Sequence, residues 1–259
     1  MEEEQIWTAF LCFWLAVSGG VLGSFLDCAV SRWAEEDPHP FAGRSRCASC
    51  GHVLRARDLV PVVSYLARRG RCRWCGERIP AECLWAELAG AAAFVCVGAR
   101  FGLCPELGQW LAFAGLLLAL SLTDRAKRII PDKLLLLLAA NRAVWFFVLG
   151  HGAREALEAA KALAVPAALL ALVLVMERLL GREAMGGGDI KLLFALALYL
   201  SWAELFLTLL AGCLLGLLWA GLTRRSKGAA MPFGPFLAAG AVLAVCCGGP
   251  VLEWYFGLF

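Results

Sequence analysis

The stretch Leu116-Leu-Leu-Ala-Leu-Ser-Leu-Thr-Asp124 shows the pattern that decides the fold, a long apolar run that stops abruptly at a carboxylate. The run occupies 107–123, and an α-helix needs about 17 to 25 apolar residues to cross a bilayer. Hydrophobic residues make up 61% of the chain, well above the roughly 45 to 50% that is usual in soluble proteins. The sequence therefore predicts an all-α, polytopic membrane protein.

Apolar runs of similar length recur along the chain, and together they predict about eight transmembrane helices. They lie at 6–30, 82–101, 107–123, 133–150, 160–180, 190–202, 203–222 and 233–257. The sixth run is short and poorly separated from the seventh. The first follows an acidic start rather than the basic start of a signal peptide, so we expect it to remain as a true span.

The longest polar stretch, 32–81, separates the first predicted span from the second and is rich in arginine. We call it the cysteine domain, and it divides the chain into a first transmembrane helix (1–31), this small domain, and a helical bundle (82–259). Other basic residues gather in the loops at 124–133, 178–191 and 224–227. Basic loops favour the cytoplasmic side, so we expect all four regions to face the cytoplasm.

Four of the 12 cysteines form two pairs in the cysteine domain, Cys47-Ala-Ser-Cys50 and Cys72-Arg-Trp-Cys75. Two C-x-x-C pairs about twenty residues apart are typical of a four-thiolate zinc site. A disulfide is the less favoured alternative, because a cytoplasmic loop is kept reduced. Four thiolates leave no open position for water, so we expect the zinc to be structural. His52 is expected to be a surface residue rather than a ligand.

Two aspartates stand at polar breaks in the apolar chain, Asp124 and Asp189. A carboxylate close to lipid is costly and is usually functional, so we interpret the two as a catalytic pair. Asp124 is the first polar group after its apolar run, whereas Asp189 follows Gly186-Gly-Gly188, which lets another chain approach closely. Asp189 could instead cap a helix, and Asp132, after Pro131, fits a helix-edge charge favoured by the helix dipole.

Two such carboxylates can perform general acid–base hydrolysis. Like charges a few Å apart cannot both ionise, so one member holds a proton while the other activates a water. The three histidines form no convincing pair with a serine or cysteine, and the metalloprotease motif H-E-x-x-H is absent from the sequence. The net charge of +3 gives no indication of nucleic acid binding.

Several ordered motifs resemble those of the type IV prepilin peptidases, a family of bifunctional leader peptidases and N-methyltransferases of the bacterial cytoplasmic membrane. They are the first-span stretch Gly23–Arg32, the cysteine domain with Pro61-Val-Val-Ser-Tyr65, Asp124 with Ile130-Pro-Asp132, Gly186-Gly-Gly-Asp-Ile-Lys191, and Pro232-Phe-Gly-Pro-Phe-Leu237. The resemblance covers nearly the whole chain.

This resemblance implies that Asp124 and Asp189 are the catalytic dyad, supported by Pro131, Asp132, Gly186, Gly188 and Lys191. It implies that Cys47, Cys50, Cys72 and Cys75 bind zinc. The implied substrates are prepilins of type IV pili or pseudopilins of type II secretion, cleaved after the Gly that ends a basic leader. The implied methyl donor is S-adenosylmethionine, for which the sequence indicates no binding residues.

Two alternatives remain open from the sequence. One is a peptidase that has lost methylation and keeps the zinc loop as a scaffold. The other is a transporter whose carboxylates relay protons, although a relay would place them near mid-span rather than at one face. The sequence makes no prediction of the oligomeric state.

Asp27 and Arg142 are two of the charged residues that fall within predicted spans. Asp27 stands where the family commonly has Asn, and we expect it to pair with Arg32 or a neighbouring arginine. Arg142 is expected to face the interior of the bundle or a polar cavity. Neither is assigned a function from the sequence.

Overall fold

The computed structural model describes residues 2–181, 185–223 and 231–257. Within these ranges the chain is helical, and its only β-structure is two isolated bridges in the cysteine domain. The helices are α1 (Glu2–Ala34), α2 (Val63–Ala67), α3 (Ala81–Phe101), α4 (Leu107–Lys127), α5 (Asp132–Val148), α6 (Ala153–Ala162), α7 (Ala164–Leu180), α8 (Gly187–Leu196), α9 (Trp202–Leu222) and α10 (Gly234–Phe256). The all-α prediction is confirmed.

Among the described residues, six helical segments are long and apolar enough to cross a membrane. They are Gln5–Ala34, Ala81–Phe101, Leu107–Lys127, Ala153–Leu180, Trp202–Leu222 and Gly234–Phe256. The predicted count of about eight is not confirmed. The other two runs are helical but short, since α5 has 17 residues and α8 has 10, and the apolar run at 190–202 ends in a non-helical turn before α9.

The chain forms two compact units, Met1–Leu107 and Gly108–Phe259. In the first unit, α1 packs against α3 through small residues. A methyl group placed on Gly19 or Gly23 of α1 would collide with the backbone carbonyls of Gly90 and Ala86, respectively, on α3. Small residues spaced four apart on facing helices allow this close approach between membrane helices.

In the second unit, the short helix α8 lies in the core. Leu192, Leu193 and Leu196 of α8 are fully buried, as is Leu237 of α10. Helix α8 is too short to span a bilayer, and its buried leucines pack against protein.

Arg142, in the middle of α5, faces protein, as predicted. The Nε atom of Arg142 donates to the carbonyl of Leu198 at 2.9 Å, and its guanidinium lies over the ring of Tyr199. Next to it, Asn141 donates to the Tyr199 hydroxyl at 2.8 Å. These bonds tie α5 to the turn that follows α8.

Asp27 is buried in α1, whereas the guanidinium of Arg32 donates to the carbonyls of Ala42 and Arg44. Arg32 therefore fastens the loop after α1 to the end of that helix. The pairing of Asp27 with an arginine stays a prediction.

Candidate active site and metal centre

The first carboxylate, Asp124, lies in the last turn of α4 and is buried, with 6% of its surface exposed. The backbone N–H of Gly234 donates to its Oδ2 atom at 2.9 Å. Gly234 is the first residue of α10, so the start of one helix contacts the end of another at this carboxylate. A methyl group on Gly234 would lie 2.7 Å from Oδ2, which explains why a glycine stands there.

The second carboxylate, Asp189, lies in the first turn of α8 and is half-buried. It belongs to none of the six long apolar helices. Burial, and then the charge of Asp124, raise the pKa of Asp189 to about 6. Asp189 therefore lies within reach of the charge of Asp124, and the structure brings the two predicted residues near each other.

The glycines before Asp189 serve close packing. A methyl group on Gly188 would lie 3.2 Å from Cβ of Ile130, and one on Gly186 would lie 3.2 Å from Oδ2 of Asp189. Gly188 therefore allows α8 to pack against the Ile130–Asp132 turn that follows the Asp124 helix. Both sequence blocks that carry the aspartates meet at this point.

The supporting residues of these blocks also meet. Nζ of Lys191 lies 2.7 Å from Oδ1 of Asp132, and Asp132 is the first residue of α5, preceded by Pro131 as its N-cap. Both partners are exposed. This places Asp132 at a helix start, where the helix dipole favours it.

Sequence reasoning missed the contribution of Gly234. The signal was present, because Pro232-Phe-Gly-Pro-Phe-Leu237 stands out as a motif before the last apolar run. Only the fold reveals that this motif supplies an N–H group to a carboxylate 110 residues earlier in the chain.

The cysteine domain contains two turns with the same backbone pattern. In the first, the N–H of Cys47 donates to the carbonyl of His52, and the N–H of Gly51 donates back to the carbonyl of Cys47. Gly51 has a φ of +68°, a conformation that favours glycine. The turn is closed by a bridge between Arg46 and Val53.

The second turn repeats these bonds 25 residues later. The N–H of Cys72 donates to the carbonyl of Glu77, Gly76 donates to the carbonyl of Cys72, and Gly76 has a φ of +73°. The corresponding bridge joins Arg71 and Arg78. The two C-x-x-C pairs are therefore matching knuckles.

The knuckles bring the four sulfurs of Cys47, Cys50, Cys72 and Cys75 within 4.8 Å of one another. The Cys47 and Cys75 sulfurs are 3.8 Å apart. Four sulfurs at Zn–S distances of about 2.3 Å would lie about 3.8 Å from one another, so the donor set fits a tetrahedral zinc ion. Backbone N–H groups of Cys75 and Trp74 lower the pKa of Cys72, whereas burial and the neighbouring sulfurs raise the pKa of Cys75. Without a cation, sulfurs this close together therefore cannot all be thiolates, the form that binds metal.

His52 is not a member of this cluster. Its ring stacks on Trp74, with the ring centroids 3.7 Å apart. Because His52 follows the first knuckle and Trp74 belongs to the second, the stack holds the two knuckles together beside the sulfurs.

Two known protein families match parts of this chain. The bacterial peptidase A24 N-terminal domain matches residues 17–101, and the type IV leader peptidase family matches residues 111–221. The chain belongs to the type IV leader peptidase family. The first match contains the cysteine domain, and the second contains both aspartates.

Full-length relatives support the same assignment. A prepilin leader peptidase/N-methyltransferase of Bacillus subtilis is 32% identical over 93% of this chain and 96% of its own length. A protein of the same name from Burkholderia pseudomallei strain K96243 is 39% identical over 90% of this chain and 84% of its own length. Another, from Pseudomonas aeruginosa, is 31% identical over 92% of this chain and 90% of its own length. No solved structure matches the chain. Together with the six apolar helices, the family makes this a multi-pass membrane protein.

Proposed function

We propose that this protein is an aspartyl endopeptidase that removes the leader of prepilins or pseudopilins. The observation that carries the proposal is the proximity of Asp124 and Asp189, two carboxylates from separate helices, of which Asp124 is buried and Asp189 half-buried. Membership of the type IV leader peptidase family supports the same activity, and the relatives carry the name prepilin leader peptidase/N-methyltransferase.

The two carboxylates have different surroundings, which supports different roles. The N–H of Gly234 donates to Asp124 and stabilises its ionised form. The charge of Asp124 then favours a proton on Asp189, whose pKa is raised. We assign the base to Asp124 and the acid to Asp189, with the pair sharing one proton.

In the proposed reaction, Asp124 takes a proton from a water whose oxygen attacks the scissile carbonyl carbon. Asp189 gives its proton to the carbonyl oxygen, which forms a tetrahedral intermediate. The C–N bond then breaks as the leaving nitrogen takes the proton held by Asp124. Asp189 recovers its proton from the hydroxyl group when the carbonyl re-forms, so the dyad returns to its starting state.

The proposed cleavage site follows the Gly that ends the leader, at the cytoplasmic face of the bacterial cytoplasmic membrane. The basic cysteine domain and the basic loop after Asp124 support this orientation. A prepilin is itself an apolar helix preceded by a basic leader, so its cleavage site would arrive at a carboxylate pair located at a helix end.

The name of the relatives includes N-methyltransferase, and we extend that second activity to this chain. S-adenosylmethionine would supply the methyl group for the new N-terminal residue. No residue of this chain is assigned to that step. For the four cysteines we propose structural zinc, because four thiolates leave no open coordination position.

Mass spectrometry of a prepilin tests the proposal. The substrate is incubated with the purified protein in lipid, with and without S-adenosylmethionine. We expect loss of the leader in both samples and the added mass of one methyl group only with the donor. Leader loss without the methyl group would overturn the second activity, and an intact prepilin would overturn the first.

A further inference from the structure

The segment Leu59–Leu66 of the cysteine domain has an unusual surface for a polar loop. Four of its apolar side chains, Leu59, Val60, Val63 and Leu66, are exposed, and Val63 and Leu66 expose 62% and 61% of their surface. We call these four side chains the apolar patch. Exposed apolar side chains grouped in this way mark a contact with a partner or a membrane.

A contact with α1 fixes the position of Leu59–Leu66 along that helix. Pro61 lies against Gly20, since a methyl group on Gly20 would be 3.1 Å from Cβ of Pro61. Gly20 is twelve residues before Arg32 at the basic end of α1, which corresponds to about 18 Å along the helix. The loop therefore runs back alongside the span instead of staying beyond its end.

The exposed apolar side chains of α1 indicate which part of the helix faces the lipid hydrocarbon. Large apolar side chains are exposed on it from Ile6 to Phe25, a length of about 28 Å that matches the hydrocarbon thickness of about 30 Å. Gly20 is five residues inside that stripe, or about 7.5 Å from its end at Phe25. The ring of Phe41, in the same domain, also lies beside Phe25, with centroids 6.5 Å apart.

Most backbone N–H groups of the segment are hydrogen-bonded within the protein. Irregular backbone in lipid is tolerated only when its polar groups have partners. The N–H groups of Leu59, Val63, Ser64 and Leu66 donate to backbone carbonyls, and Pro61 has no N–H group. The N–H of Val62 donates to the carboxylate of Glu87 on α3 at 2.7 Å, so five of the seven N–H groups of the segment have partners.

Val62 also has a strained backbone. Its φ of 62° and ψ of −50° form a γ-turn with the N–H of Val63 donating to the carbonyl of Pro61, and this turn is rare and costly for a branched residue. Such strain persists only when surrounding contacts impose it. Here Glu87, buried in a span, and Pro61, seated on Gly20, impose it and hold the apolar patch at this depth.

Charged groups at both ends of the segment complete the pattern of an interfacial element. Arg55 and Arg57 precede it and Arg69 follows it, and all three are exposed. A segment with apolar side chains on one face and basic groups around it binds the boundary between headgroups and acyl chains, inserting about 5 to 10 Å. Guanidinium groups at that level attract the phosphates of anionic lipids.

We propose that Leu59–Leu66 is a membrane-inserted anchor of the cysteine domain, with its apolar patch among the acyl chains of the adjacent leaflet and its flanking arginines on anionic phospholipid headgroups. The anchor fixes the domain to the bilayer independently of the zinc cluster. It does not depend on the peptidase activity.

Photolabelling of the wild-type protein tests the anchor. The protein is reconstituted in bilayers of phosphatidylcholine and phosphatidylglycerol that contain a phospholipid with a diazirine in its acyl chain. After irradiation, trypsin releases Asp58–Arg68, and mass spectrometry locates the lipid adducts. The exposed stripe of α1 is the positive control, and Cys47–Arg55, which carries the first knuckle, is the matched control from the same domain.

We expect label on Asp58–Arg68 at about ten times the level on Cys47–Arg55, located at Val63 and Leu66. Label no higher than on the knuckle peptide, while α1 is labelled, would overturn the anchor and assign the patch to a protein partner such as the substrate helix. Retained zinc and retained prepilin cleavage show that the protein tested is folded.

A second comparison tests the charge. The diazirine is carried either by phosphatidylglycerol or by phosphatidylcholine, and we expect several times more label on Asp58–Arg68 from the anionic lipid. The variant Arg55→Gln/Arg69→Gln keeps the cleavage sites at Arg57 and Arg68 and is expected to reduce this preference. Equal labelling by both lipids in the wild-type protein would overturn the role of the arginines.

Discussion

The backbone N–H of Gly234 donates to Oδ2 of Asp124 at 2.9 Å, which joins the start of the last helix to the carboxylate at the end of α4. The bond explains why a glycine is needed there, because any side chain would enter the space of the carboxylate. It also gives Asp124 a backbone donor of its own. The asymmetry of the proposed dyad therefore begins with one backbone amide.

Gly234→Ala is expected to reduce cleavage strongly without unfolding the protein. The new methyl group would lie 2.7 Å from Oδ2 of Asp124, so the carboxylate must move, and a displacement near 1 Å can cost about 100-fold in rate. Gly221→Ala is the control, since nothing lies within 4 Å of the added group. Equal cleavage rates of the two variants would argue against the role of Gly234.

Asp132→Asn is expected to retain most of the cleavage activity, in contrast to the dyad. Asp132 is exposed and pairs with Lys191, and exposed ion pairs contribute only about 0 to 1 kcal/mol. Thermal unfolding of Asp132→Asn, Lys191→Met and the double variant measures how much the Asp132–Lys191 ion pair contributes to stability. A complete loss of cleavage in Asp132→Asn would show that Asp132 takes part in the chemistry.

Cys50→Ala is expected to lower the zinc content and the thermal stability of the protein. It removes one of four converging sulfurs, and structural zinc contributes directly to folding. Cys213→Ala, which removes an exposed cysteine from α9, is the control and should change neither quantity. Metal analysis of the purified variants gives the result, and full zinc occupancy in Cys50→Ala would contradict the assignment.

The cleavage rate is expected to fall as the pH rises above the pKa of Asp189. Burial and the charge of Asp124 raise that pKa to about 6, and the proposed acid works only when protonated. The value of kcat/KM should therefore decrease by up to about tenfold per pH unit on the alkaline side. A rate that increased steadily from pH 6 to 8 would contradict the assignment of Asp189 as the acid.

The sequence predicted much of this protein because its signals are local. The spacing of Cys47, Cys50, Cys72 and Cys75 is enough to predict a four-sulfur cluster, and the structure contains it. The apolar runs predicted the helical fold, but hydropathy alone does not distinguish a span from a short buried helix. For this reason the sequence predicts a span at 190–202, where the structure has the short helix α8 with leucines buried by protein.

Contacts between distant parts of the chain could not be predicted. The bond from Gly234 to Asp124 and the bond from Val62 to Glu87 each depend on how helices pack, which no local pattern specifies. The catalytic roles of Asp124 and Asp189 were predicted from the sequence and stay a prediction. The structure adds that the charge of Asp124 acts on Asp189.

The most direct test of the account is prepilin cleavage by Asp124→Asn and Asp189→Asn, each reconstituted in lipid and followed by mass spectrometry of the substrate. Each variant removes one member of a pair that must share a proton, so we expect no leader loss in either, with zinc content and thermal stability close to those of the wild-type protein. Leader removal by either variant at a rate near that of the wild-type protein would contradict the two-aspartate mechanism.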